Sequence, residues 1–208
     1  MRADARHNRD RIVAAGRELM LERGVEAPLD QIAARAGVGN ATLYRHFPTR
    51  ADLVRRVVLH DMERVRAEAA AALDAEPTGW AALRRFCTVV VEERLVALLP
   101  IAGPHLVRDA EFAAVRDGLV AALDALLAAA RADGSLRADV EAGDVVLTLA
   151  AVMRPLPGLP AALVEAMQAR HLGLVLDGLR AQAASPLPGA PVSADDITAR
   201  LAAGQEPG

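Results

Sequence analysis

The chain holds 208 residues, 53% of them hydrophobic, so a sizeable core can form and wholesale disorder is excluded. Its net charge of -3 conceals an asymmetry: residues 1–60 carry 11 arginines against 7 acids and residues 61–208 carry 13 against 20, a basic head on an acidic body, which suits a polyanion partner. A lone cysteine excludes an intrachain disulfide framework and disfavours a Cys-based zinc site, no apolar run reaches the roughly 18–20 residues of a membrane span, and residues 1–10 lack the apolar stretch of a secretory signal. The expectation is a cytoplasmic protein with no membrane partner, no metal and no cofactor. All 24 basic residues are arginine, a compositional bias that leaves any basic phosphate contact to a guanidinium.

Strand signals are nearly absent, and apolar residues recur at helical spacing almost throughout. A first helix is predicted over 9–23, with Ile12, Gly16, Leu19 and Met20 on one stripe and Gly24 as its stop. Arg2, Arg6 and Arg9 read either as a mobile arm for phosphates or the minor groove, or as a solvated terminus diluted by Asp4 and Asp10. Pro28 suits the first position of a two-turn helix carrying Leu29, Ile32, Ala33 and Ala36. Gly37, Val38 and Gly39 break it, Asn40 is a candidate N-cap, and a further short helix runs to Phe47. Pro48 ends that helix, and Thr49 caps a long one over 50–73. Pro77, Thr78 and Gly79 open a helix carrying Trp80, Leu83, Cys87, Val90, Val91 and Arg94, and Pro100, Gly103 and Pro104 interrupt the chain after it. Further helices are predicted over 110–132, 141–153 and 161–183, separated by Asp133 with Gly134 and by the proline-rich stretch 155–160. Residues 184–208 read as a loose tail, in which Ser193 could cap a small helix with Ile197 and Leu201 on one side.

The informative stretch is 29–50. A two-turn helix, a glycine turn and a second short helix have the spacing of a helix-turn-helix. Ala33 and Ala36 allow the two helices to approach, and Gly37 allows the left-handed turn. Leu43 and Phe47, four apart, anchor the second helix, which leaves Asn40, Ala41, Thr42, Arg45 and His46 on its other faces. Asn40 and Thr42 can hydrogen-bond base edges, and Ala41 and the Thr42 methyl can touch a thymine methyl. Tyr44 and Arg50 are placed to donate to backbone phosphates, which fix register rather than sequence. Arg45 and His46 suit either task. Tyr44 reads as a half-buried ring whose hydroxyl reaches DNA or as a plain core aromatic; Phe47 reads as core.

These residues carry a resemblance. Ile32-Ala33, Ala36-Gly37-Val38, Thr42-Leu43-Tyr44, His46-Phe47-Pro48 and Leu53 together resemble the DNA-binding domain of the tetracycline-repressor (TetR) family of bacterial transcription regulators, over about residues 9–57. The resemblance implies an all-α dimer: an N-terminal three-helix helix-turn-helix head (1–49), a larger C-terminal helical bundle for ligand binding and dimerisation (50–183), and the tail (184–208). Three positions depart from the family pattern. Ala27 and Pro28 stand where a Thr or Ser often precedes the second helix, Gly39 stands where Ser often opens the recognition helix, and Arg50 replaces a frequent Lys while keeping its charge.

In the body, few aromatics make any pocket largely aliphatic. Trp80, Phe86, Cys87, His105, Phe112 and Met153 are the candidate pocket residues, each with a plainer reading as packing or loop. By family analogy the helices over 141–153 and 161–183 form an intersubunit four-helix bundle; the stripe Leu163, Met167, His171, Leu174 and Gly178 otherwise packs within the chain. The resulting expectation is a ligand-responsive repressor that holds a palindromic double-stranded DNA operator as a homodimer and is released by a small-molecule effector, with the long helix as lever. Two alternatives stay open: a constitutive DNA-binding protein without an effector, or an enzyme hidden in the helical body. No catalytic residue is assigned, because Cys87 and His105 carry no signature of a nucleophile and its base.

Overall fold

A computed structural model of the chain describes residues 2–98, 102, 110–154, 156, 158–183, 185–193 and 196. The protein is all-α. Among the described residues the helices are α1 (Arg2–Arg23), α2 (Leu29–Arg35), α3 (Asn40–His46), α4 (Arg50–Ala75), α5 (Gly79–Glu92), α6 (Ala110–Ala132), α7 (Ala142–Val152) and α8 (Ala161–Gly178), with a short 3-10 turn at Ala181–Ala183. The chain divides into two units, Met1–Asp61 with Leu98–Phe112 and Met62–Ala97 with Ala113–Gly208, so the division falls inside α4.

In the first unit, Ile12, Val13, Leu19 and Met20 of α1 are buried, as are Ile32 and Ala33 of α2, Leu43 of α3, Phe47, and Leu53, Val54 and Val57 of α4. The turn from α2 to α3 follows from one glycine. Gly37 has φ +64, and its N–H bonds the carbonyl of Ala34 while Val38 N–H bonds that of Ala33, each at 3.0 Å. This is a Schellman closure, which needs a left-handed residue at the first position beyond the helix cap. α4 starts with a reciprocal cap: Asp52 N–H donates to Thr49 Oγ1 at 3.1 Å and Thr49 N–H donates to Asp52 Oδ2 at 3.0 Å. Arg17 Nε meets Asp61 Oδ1 at 2.6 Å with both side chains largely buried, tying α1 to α4. Arg50 Nη1 reaches back to the carbonyls of Val25 (3.0 Å) and Ala27 (2.5 Å), while its Nε lies 3.3 Å from Glu26. That guanidinium fastens the loop between α1 and α2.

In the second unit, α5 buries Trp80, Leu83, Phe86, Cys87, Val90 and Val91 on one face. Thr78 caps it by accepting from Ala81 N–H at 3.1 Å. α5 closes with the same Schellman pattern as α2, but with Arg94 (φ 53) at the left-handed position. Gly79 passes so close to the backbone of Ala129 in α6 that a Cβ would overlap it. Glu141 and Asp144 form the capping box of α7. An isolated antiparallel bridge joins Leu136 to Arg180. Beside it the buried Arg137 gathers four acceptors: Asp139 Oδ1 (2.6 Å) and Oδ2 (3.0 Å), the Gly178 carbonyl (3.1 Å) and the Ser185 carbonyl (2.6 Å).

Several sequence expectations need correction. α1 starts at Arg2, not at residue 9, so residues 2–8 are helix and not a mobile arm. Nothing in Arg2-Ala-Asp-Ala-Arg6 breaks a helix, and Asp4 in the first turn complements the positive helix end. Pro28 is the N-cap of α2 with an extended ψ of 129, one position before the helix. Gly39, not Asn40, is the N-cap of α3, and α3 stops at His46 with Phe47 at its cap. α4 runs two residues further than expected, to Ala75. Arg94 lies beyond α5, and α7 covers Ala142–Val152 with Glu141 and Met153 as its caps. α8 ends at Gly178 rather than at 183. There the Leu179 carbonyl accepts from Arg137 N–H (3.1 Å) and Ala181 N–H donates to Ser135 (2.9 Å), so bridge bonds replace helical ones. Residues 185–193 are not a loose tail. Val192 N–H bonds Asp144 Oδ1 at 3.1 Å, Leu187 N–H lies 3.4 Å from Asp139 Oδ2, and Gly143 leaves room for the Val192 carbonyl where a Cβ would overlap it. Ser193 and Asp196 do exchange cap-like bonds, at 3.1 and 3.0 Å, but Ile197 and Leu201 lie outside the described residues, as do Pro100, Gly103 and Pro104.

Two outcomes follow. Arg50→Ala should destabilise the head by about 1–3 kcal/mol, since two carbonyls lose a charged donor; hydrogen exchange of the amides around residues 24–28 would rise, and equilibrium unfolding would register the loss. Asp139 is held down to about 2, chiefly by its bonds to Arg137. A carboxylate whose folded value is depressed stabilises the fold above its unfolded value and loses that contribution as pH falls toward the folded one. Stability should therefore fall between about pH 4 and pH 2, and Asp139→Asn should be less stable at neutral pH with a shallower loss across that window in acid-unfolding titrations.

Candidate nucleic-acid interface

α3 has only seven residues, and its two sides are sharply different. Leu43 and Phe47 are almost fully buried, each side chain being worth about 1.5–3 kcal/mol when removed from water. Asn40, Ala41, Tyr44 and Arg45 are exposed, and Thr42 and His46 are half-buried. Tyr44 is 51% exposed, which excludes a core role and leaves its ring half covered. The His46 ring sits 6.5 Å from that of Phe47 in a tilted arrangement. Asn40, Ala41, Thr42, Tyr44, Arg45 and His46 thus share one short element and are offered together by the burial of the other two.

Arg50 is placed differently from its companions. Its Nη1 and Nε face the Val25 and Ala27 carbonyls and Glu26, so the side chain positions the loop ahead of α2. Two arginines that the motif did not single out as neighbours of this surface adjoin it instead. The Arg9 guanidinium lies 5.8 Å from the centroid of the Phe47 ring, a cation–π distance. Arg11 covers Gly37, where a Cβ would strike its Nη2. Only the helical register of α1 could have indicated these neighbours. Nearby, Arg35 and Glu22 pair at 2.6 Å across α1 and α2, which lowers Glu22 below its ordinary value through the bond to Arg35; such an exposed pair contributes little to stability.

The pocket candidates fare unevenly. Trp80, Phe86 and Cys87 share the buried face of α5, and Met153 is buried at the cap of α7. Burial pushes the Cys87 thiol up to about 12, so it is protonated at neutral pH and a poor nucleophile. Trp80 is committed to packing: its backbone N–H donates to Asp133 Oδ2 at 3.0 Å and the Arg180 guanidinium lies 4.0 Å over its ring. Phe112 is buried in the first unit, and His105 lies outside the described residues. Among the described residues, no cluster of His, Cys, Asp and Glu could hold a metal ion, and no helix is long and apolar enough to cross a membrane.

Comparison with known proteins bears on both units. Residues 12–57 match the family described as bacterial regulatory proteins, tetR family, and residues 79–181 match the transcriptional regulator SbtR-like C-terminal domain. A helix-turn-helix-type transcriptional regulator of Staphylococcus aureus (strain USA300) is 42% identical over 64 residues, 30% of this chain; the match spans 35% of that relative. The crystal structure of the TetR transcriptional regulator SCO0520 from Streptomyces coelicolor is similar at 31% identity and a TM-score of 0.62, covering 83% of this chain and 98% of that one. The TetR-like regulator LfrR from Mycobacterium smegmatis, solved in complex with proflavine, shares the fold at 22% identity and a TM-score of 0.63, over 88% of this chain and 98% of that one. An all-α fold with a glycine-turned pair of short helices, matched over its head and most of its body, places the chain in the TetR family of bacterial transcriptional regulators, which act by binding DNA.

Proposed function

We propose that this regulator is a repressor that binds a palindromic operator as a homodimer and leaves it when a small-molecule effector binds the helical body. The observation that carries the reading is α3, held by Leu43 and Phe47 with Asn40, Ala41, Tyr44 and Arg45 exposed. In the major groove, Asn40 and Thr42 offer hydrogen bonds to base edges, and Ala41 offers a methyl group to a thymine methyl. Tyr44 donates its hydroxyl to a backbone phosphate, and Arg45 and His46 flank it. Arg50 serves the same surface as a positioning residue by fixing the loop before α2.

One such head reads a few base pairs, so two copies spaced by about 34–36 Å or a multiple are required for a full site. The surface available for pairing is on α7 and α8, where Leu147, Leu163 and Leu174 are 41%, 47% and 70% exposed. Support for an effector comes from LfrR, whose structure holds proflavine. In this chain the buried face of α5 with Phe86 and Cys87, together with Met153, is the region in which to seek the ligand. An effector works through unequal affinity for the DNA-bound and released states.

The test starts with selection of a preferred duplex from a random library. Tyr44→Ala should weaken binding to the selected and to a random duplex alike. Asn40→Ala and Thr42→Ala should instead narrow the gap between the two, by about 1–3 kcal/mol for each base-edge hydrogen bond removed. Equal effects of all three variants on both duplexes would overturn the assigned roles. Operator affinity that no small molecule alters would favour a constitutive DNA-binding protein.

A further inference from the structure

α1 continues two turns beyond the head's core, and what it carries there is ordered by its register. Met20, Gly16 and Val13 lie on one stripe of the helix at spacings of four and three residues, and all three are buried. Continued toward the N-terminus at the same alternation, that stripe becomes Arg9 and then Arg6, both exposed. Asp4 and Asp10, the acids of the segment, fall off it at 100° per residue. At Arg9 the stripe still adjoins α3. Arg9 stands with its guanidinium 5.8 Å from the Phe47 ring, and Phe47 is the C-cap of α3. Among the described residues neither Arg6 nor Arg9 forms an ion pair, although Arg17, farther along the same helix, pairs with Asp61 at 2.6 Å.

An apolar stripe that turns into unpaired arginines, beside the end of the element that meets DNA, is suited to a surface that is anionic and continuous with the groove. Arg50, the basic residue at the start of α4, is meanwhile turned to the carbonyls of Val25 and Ala27. We propose that Arg6 and Arg9 form a second phosphate-binding strip, gripping the duplex backbone that borders the groove occupied by α3. The strip contributes affinity and register without base preference, because phosphates are the same at every sequence. This proposal rests on the reading of α3 as the groove-entering helix, and the experiment separates the two.

Binding of the parent protein, Arg6→Ala, the double variant R6A/R9A and the double variant R6K/R9K to a mixed-sequence 30-base-pair duplex is measured between about 50 and 200 mM KCl. Removing one arginine from a phosphate lowers the slope of log affinity against log salt by about 0.9. Arg6→Ala should lose about one unit of slope per protomer and R6A/R9A about two, with R6K/R9K restoring the parent slope. Arg6 is exposed and, among the described residues, forms no ion pair, so the thermal unfolding of Arg6→Ala should match that of the parent and its slope is read without a folding contribution. A parent slope retained in R6A/R9A overturns the strip, as does a loss that lysine fails to restore. A parent protein that binds no duplex at any of these salts overturns the strip and the reading of α3 together, whereas a preference for the selected over a random duplex that Asn40→Ala narrows, with an unchanged R6A/R9A slope, retires the strip alone.

Discussion

A seven-residue helix does not stand by itself in water, because the first turn costs more in backbone order than its few hydrogen bonds return. α3 exists because both ends of its inner side are held: Leu43 is buried under it and Phe47 is buried at its cap. Its direction is set one step earlier, where Gly37 adopts φ +64 and the amides of Gly37 and Val38 close the end of α2. The remaining freedom is removed from below. The Thr49–Asp52 cap starts α4 at once after Pro48, and Arg50 draws the loop ahead of α2 against the start of α4. The exposed surface of α3 is therefore made by anchoring, with its outward side chains held in place by the buried Leu43 and Phe47.

Much of this was legible because it is local chemistry. The glycine turn, the Thr49 cap, the helix opening at Thr78 and Gly79 and the stop at Gly134 depend on residues within about five positions of each other, and α6 ends just before Asp133 and Gly134, as those residues require. What escaped is long-range. Arg50 finds its partners 23 and 25 residues upstream, and no pattern around Arg50 announces them. The end of α8 is decided by the bridge to Leu136, since Gly178 and Leu179 on their own do not forbid another turn. The first turns of α1 escaped for the opposite reason: none of residues 4–8 is buried, so apolar periodicity, the signal used to find the helix, is missing there. The pocket candidates show a further limit. Trp80 and Cys87 are apolar at helical spacing, and that pattern is the same whether a side chain faces a ligand or packs against Arg180 or its neighbours.

The second unit solves a different problem, that of placing an arginine inside. Arg137 is 6% exposed, and a buried guanidinium is tolerable only when its donors are met. Asp139 balances the charge and the carbonyls of Gly178 and Ser185 take further donors. One of these is the carbonyl end of α8, where a cation also suits the helix dipole. The same side chain thus closes a helix, neutralises a carboxylate and fixes the strand of chain that follows.

That fastening has a temporal side. One partner of the Asp144 carboxylate, and the segment that faces the bare Cα at Gly143, arrive late, with Val192 lying 48 positions after Asp144. On a ribosome, the start of α7 is therefore synthesised well before the segment that covers it. Until that segment emerges, the cleft at Gly143 stays uncovered and Arg137 lacks the Ser185 carbonyl. The assembly of this corner is thus a late event in the life of the nascent chain, after the helix-turn-helix of the head has left the ribosome with its own glycine turn, caps and anchors already in hand.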